Sequence, residues 1–123
     1  MITPQLDSTK RETIERLTRA GVTAIMLDAR QPGVDVPSEF RVKDDLILNI
    51  SHNFDPPDLR FNDWGISATL SFSGTRYPCR VPWSAIYVAR TLALPKPQGC
   101  ALWHPPPEPP KVTVRKGGLG VVS

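Results

Sequence analysis

The chain has only two cysteines and two histidines, and each scarcity removes a class of function. Cys79 and Cys100 show no Cys-x-x-Cys spacing and no histidine at metal-ligand distance, so neither a zinc ribbon nor a dithiol redox centre can be drawn. Cys79 alternates with apolar residues in a strand-like run and reads as a buried thiol acting as a small hydrophobe. No apolar run approaches the roughly 18 residues of a membrane span, and nothing at the N-terminus resembles a signal peptide. The expectation is a cytoplasmic protein with reduced thiols.

Catalytic sets are equally thin. Nucleophilic catalysis needs a nucleophile, a base and an orienting group. His52 lies in a polar loop with Asn53, Asp55 and Asp58, a set that reads as solvated loop rather than metal site. His104 opens the run Pro105-Pro106-Pro107 and marks a boundary where a helix cannot continue. Gly117-Gly118-Leu119-Gly120 has no helix after it to supply the dipole of a phosphate loop. The paired acids Asp44-Asp45 read as a solvated turn. We therefore expect no catalytic residue, no metal ligand and no cofactor, and a protein that is not an enzyme.

Charge of one sign is also missing. The net charge is +3, and residues 105–123 supply +2 of it through Lys111, Arg115 and Lys116 against Glu108, leaving about +1 for the rest. A nucleic-acid surface clusters its bases on one face, and no such cluster is visible, which weighs against that partner.

What is present is one modest core and a proline-rich end. A chain of 123 residues fits one domain, and 7 of the 14 prolines fall in its last 29 residues. The boundaries drawn are a folded domain over 1–104 and a flexible tail over 105–123. Ser8 to Ala20 reads as a helix, with Thr9 and Glu12 spaced as a capping box, Ile14 and Leu17 as a thin apolar stripe, and Gly21 as the stop. That stripe needs a partner, from the same chain or a second subunit. Val22 to Ala29 is an apolar strand, Gln31-Pro32-Gly33 turns, and Leu46, Leu48 and Ile50 alternate with Ile47 and Asn49 as a half-buried strand.

Ile66 to Ser73 alternates strictly, with Ile66, Ala68, Leu70 and Phe72 on one side and Ser67, Thr69, Ser71 and Ser73 on the other. Tyr77, Cys79 and Val81 return, with Arg76 and Arg80 outward, to complete a hairpin. Pro82 followed by Trp83, Ile86, Tyr87 and Arg90 reads as a short helix, and Ala101 to Trp103 as a last strand. The fold class is α+β, mainly β with flanking helices: a curved antiparallel barrel or sandwich with an N-terminal helix.

Three segments together resemble the SspB family of proteolysis adaptors: Pro32-Gly33-Val34-Asp35-Val36-Pro37, Leu46-Ile47-Leu48-Asn49-Ile50-Ser51, and Ile66 through Phe72-Ser73-Gly74 to Val81-Pro82. The resemblance spans residues 20–104 in the family's order. It implies an Sm-like (SH3-like) barrel, a homodimer formed with help from the N-terminal helix, and a groove for ssrA-type degradation tags. On this likeness the groove is drawn from Asn49, Ile50, Leu70, Ser71, Phe72, Ser73 and Gly74, closed by Leu102 and Trp103. It further implies a tail that docks on the N-terminal domain of ClpX through Leu119, Val121 and Val122, with Arg115 and Lys116 upstream.

The chain departs from the family in carrying Leu70 and Ser73 where smaller residues are usual, in a short proline-rich tail, and in a first helix without aromatics. Two rivals stand beside this reading. An Sm-like nucleic-acid binder would use Arg76, Arg80 and Arg90, and a structural partner subunit without a groove would bury Leu70 and Phe72 completely.

Overall fold

The computed structural model describes residues 3–107, with side chains from residue 9 onward. A helix α1 (Thr3–Ala20) precedes seven strands: β1 (Thr23–Leu27), β2 (Leu46–Ile50), β3 (Arg60–Phe61), β4 (Gly65–Phe72), β5 (Thr75–Pro82), β6 (Ile86–Thr91) and β7 (Cys100–Leu102). They form two antiparallel sheets, β2-β1-β6-β7 and β3-β4-β5, and neither closes on itself. The class is therefore α+β and mainly β.

Apolar alternation explains why the sheets face each other. Leu46, Leu48 and Ile50 of β2 turn inward while Ile47 and Asn49 stay exposed. Ile66, Ala68 and Leu70 of β4 meet Cys79 and Val81 of β5 on the same inner side. Ile25, Leu27, Ile86 and Ala89 complete the opposing layer, and Ile14 and Leu17 of α1 are fully buried against this core. The thin stripe of the helix is thus satisfied within its own chain. A lysine secures the contact: Lys10 is buried, and its Nζ donates to the carbonyls of Trp83 and Ile86, both at 2.9 Å.

Two local expectations are corrected. The first helix begins at Thr3, so Thr9 and Glu12 lie inside it and do not cap its N-terminus. The helix expected after Pro82 shrinks to one 3-10 turn, Trp83–Ala85, and the chain continues as β6. The cause is a β-bulge. Leu27 pairs with Ile86 while Met26 pairs with Val88, so Tyr87 is an extra residue. The extra residue turns both Ile86 and Ala89 inward, a spacing of three that imitates a helix.

The connection between β1 and β2 is tied to β5 where Asp35 bridges Arg80: Asp35 N–H donates to the Arg80 carbonyl at 2.8 Å and Arg80 N–H to the Asp35 carbonyl at 3.0 Å. The Tyr77 hydroxyl donates to Asp35 Oδ1 at 2.6 Å, which raises the phenol above its ordinary range. The Cys79 thiol, pushed up to about 12 by burial with a smaller contribution from Asp35, stays protonated.

Candidate functional site

The β4–β5 hairpin is built around a two-residue turn. Ser73 and Gly74 both take positive φ, 53° and 86°, as a type I′ turn requires. In such a hairpin the pair next to the turn, Phe72 and Thr75, exchanges backbone hydrogen bonds, and every second pair below it repeats this. The intervening residues, Ser67, Thr69 and Ser71 on β4 and Arg76, Pro78, Arg80 and Pro82 on β5, turn their backbone groups outward. Three contacts agree with that parity: Arg80 bonds outward to Asp35, Ser67 pairs outward with Arg60, and both prolines occupy positions whose N–H the hairpin does not use.

The outer edge of β4 is occupied only in part. β3 covers Ile66 and Ser67. Above it the Asp58 carboxylate accepts from Thr69 N–H at 2.9 Å and from Thr69 Oγ1 at 2.6 Å. These two bonds hold the Asp58 carboxyl below its ordinary value. Beyond Thr69 no strand among the described residues pairs with the edge, so the N–H and C=O of Ser71 face open space.

That space is a groove of about 490 Å³ between the free edge of β4 and the free edge of β2, the outermost strand of its sheet. Its walls are Ile47, Leu48 and Asn49 from β2, Phe54 and Asp55 from the following loop, and Thr69, Leu70, Ser71 and Phe72 from β4. Phe72 is half-buried and leans on Phe40 with ring centroids 5.3 Å apart. Ile47 is 54 % exposed. At the rim Asp55 meets Arg76 at 3.3 Å, an exposed pair of little energetic weight.

Of the residues singled out from the sequence, Asn49, Leu70, Ser71 and Phe72 come together in this groove. Ile50 does not line it: its side chain is 1 % exposed and belongs to the core, on the opposite side of β2 from Asn49. Ser73 and Gly74 form the hairpin tip rather than the wall. Leu102 and Trp103 do not close the groove. β7 lies at the far edge of its sheet, three strand spacings or about 14 Å from β2. Trp103 there donates its N–H to the Tyr87 carbonyl and lies under Lys10 Nζ, 5.4 Å from the ring centroid. Arg115, Lys116, Leu119, Val121 and Val122 lie outside the described residues.

Ile47, Leu48, Phe54, Asp55 and Thr69 were not anticipated. Ile47 alone carried a signal, as an aliphatic residue on the solvent side of an alternating strand. His52, Asp55 and Asp58 do not converge: His52 Nε2 lies 3.4 Å from Thr18 Oγ1, Asp55 faces Arg76 and Asp58 faces Thr69. No group of three His, Cys, Asp or Glu side chains among the described residues is placed to hold a metal ion. No described helix is long and apolar enough to cross a membrane. No protein-family model matches the chain, and no curated protein does.

Proposed function

We propose that this protein is a non-enzymatic adaptor that captures an extended peptide of the ssrA-tag type in the groove between β2 and β4. Its tail then tethers the captured chain to the ClpXP protease. The observation that carries the reading is the open stretch of β4 at Ser71, facing a second free strand edge across a partly apolar groove. An extended peptide binds such a place by adding a strand, with main-chain bonds for affinity and side pockets for alternate residues. Leu70, Phe72, Phe54 and Ile47 supply the apolar walls; Asn49 and Ser71 supply polar groups.

The resemblance to the SspB family supports the same assignment, and it makes the two open sheets halves of a split Sm-like barrel. Tethering raises the local concentration of substrate at the protease, a gain of about 10² to 10⁴ for two linked weak contacts. On this reading two copies pair, each offering a groove and a tail.

The test is fluorescence-anisotropy titration of a labelled ssrA-type peptide at low and high salt. Saturable, salt-tolerant binding is expected; binding that collapses with salt would favour the nucleic-acid type of surface instead. Removing residues 119–123 is expected to abolish delivery to ClpXP and to spare peptide binding.

A further inference from the structure

The outer face of the β3-β4-β5 sheet carries an assembly that the groove does not use. Arg60 of β3, Ser67 of β4 and Arg80 of β5 are direct cross-strand neighbours, so the two arginines flank one serine in a single row. Both arginines are exposed, and neither makes an ion pair with a described residue. Beside them Trp64 projects from the β3–β4 turn, 40 % exposed, with the Arg80 guanidinium carbon 4.6 Å from its ring centroid.

This tryptophan is held in place by the backbone. Gly65 approaches β5 so closely that a Cβ there would lie 2.1 Å from the Val81 carbonyl oxygen. The Trp64 carbonyl accepts from Trp83 N–H at 3.2 Å. The turn is therefore held against β5, which keeps Trp64 next to Arg80.

The chemistry of this face is specific. The Arg80 guanidinium lies over the Trp64 ring, and an arginine placed against an aromatic ring can still grip an oxyanion through its N–H groups in two-pronged fashion. Arg60 stands two strand spacings away, about 9 to 10 Å, with the Ser67 hydroxyl between. A shallow cavity of about 360 Å³ covers the row, with Pro78 on its wall. Tryptophan and arginine are the side chains that most often anchor protein contacts; Arg80 makes no ion pair with a described residue and Arg60 feels Asp58 only through space, so the row calls for an anionic partner.

We propose that this face is a second docking surface, separate from the groove, for an acidic segment of a partner protein. Carboxylates two or three residues apart on an extended segment span the Arg60–Arg80 separation, while its backbone crosses Trp64 and Pro78. A nucleic-acid strand fits less well. Two exposed cations neutralise at most about two phosphates, whereas a strand brings a phosphate with every nucleotide.

The experiment uses the full chain and three labelled probes: a capped hexaglutamate peptide, a capped hexalysine peptide and a twelve-residue oligothymidylate. Hexaglutamate is expected to bind saturably and hexalysine not at all. Arg80→Gln is expected to weaken hexaglutamate at least tenfold and Arg60→Gln by less. Both side chains are exposed, so both variants should melt with the parent, which a thermal scan checks. Binding of an ssrA-type peptide to either variant should match the parent, which separates this face from the groove. The inference is overturned if hexaglutamate does not bind, if both variants bind it as the parent does, or if the oligothymidylate binds more tightly.

Discussion

The two strands of the β4–β5 hairpin share one ladder, yet their outer edges have opposite character. On β5, Pro78 and Pro82 remove two outward N–H groups, and the N–H and C=O of Arg80 are taken by Asp35. A second strand finds only Arg76 open there, and edges blocked in this way keep natural sheets from associating. On β4, Asp58 covers Thr69 and then protection stops, leaving Ser71 open above the groove. A sheet that blocks most of one edge and leaves a short window in the other favours strand addition at that window. The β4 edge is open where the groove is, and that coincidence gives the adaptor reading its physical basis.

Transferring the β5 device to β4 gives the largest expected effect. Ser71→Pro puts a proline at an outward position equivalent to that of Pro78, so the hairpin should survive while the open N–H disappears. Anisotropy titration should show at least a tenfold loss of ssrA-type peptide binding, with a melting temperature within a few degrees of the parent. Unchanged binding would mean that the peptide does not pair with β4.

Asp58→Asn tests the boundary of the open window. It weakens two short bonds to Thr69 and should cost about 1 to 2 kcal/mol in denaturant unfolding. The parent carries a pH signature as well. Because the folded Asp58 carboxyl titrates below its ordinary 3.8, its contribution is complete above that value and is lost as pH falls through the lowered one. Stability measured between pH 5 and pH 2 should fall less steeply in Asp58→Asn than in the parent.

Pro78→Thr unblocks the other edge. Monomer stability should change by less than about 1 kcal/mol, since the position faces outward, but light scattering at high concentration should report more self-association than in the parent. The smallest effect belongs to the turn. Ser73 sits at φ 53°, where a side chain is strained and glycine is not. Ser73→Gly should therefore raise stability by up to about 1 kcal/mol and leave peptide binding unchanged. A loss of binding would move the hairpin tip into the site.

Several elements were legible because one physical signal decided them. Strict alternation from Ile66 to Phe72 and from Leu46 to Ile50 leaves no reading but a strand with one buried face. Alternation placed Asn49 on one of those strands and Leu70, Ser71 and Phe72 on the other, while grouping them into one groove rested on the resemblance to the SspB family. The segment after Pro82 failed for a reason equally local in appearance: the bulge at Tyr87 gives the burial pattern a spacing of three, and a helix gives nearly the same. Only the pairing of β6 with β1 tells them apart.

Leu102 and Trp103 show a different limit. Their apolar character was plain, but the edge that β7 occupies depends on strand order, and no pattern within the segment encodes that. The sequence by itself determined which residues turn inward, where the hairpin turns, and which outward N–H groups proline deletes, since alternation, turn chemistry and the proline ring act over a few neighbouring residues. The tertiary structure alone decided that β2 and β4 leave facing free edges, that Asp58 stops at Thr69, and that Arg60, Arg80 and Trp64 share one face. Each of these joins residues distant in the chain, and such meetings are set by how two sheets and a helix bury one common core.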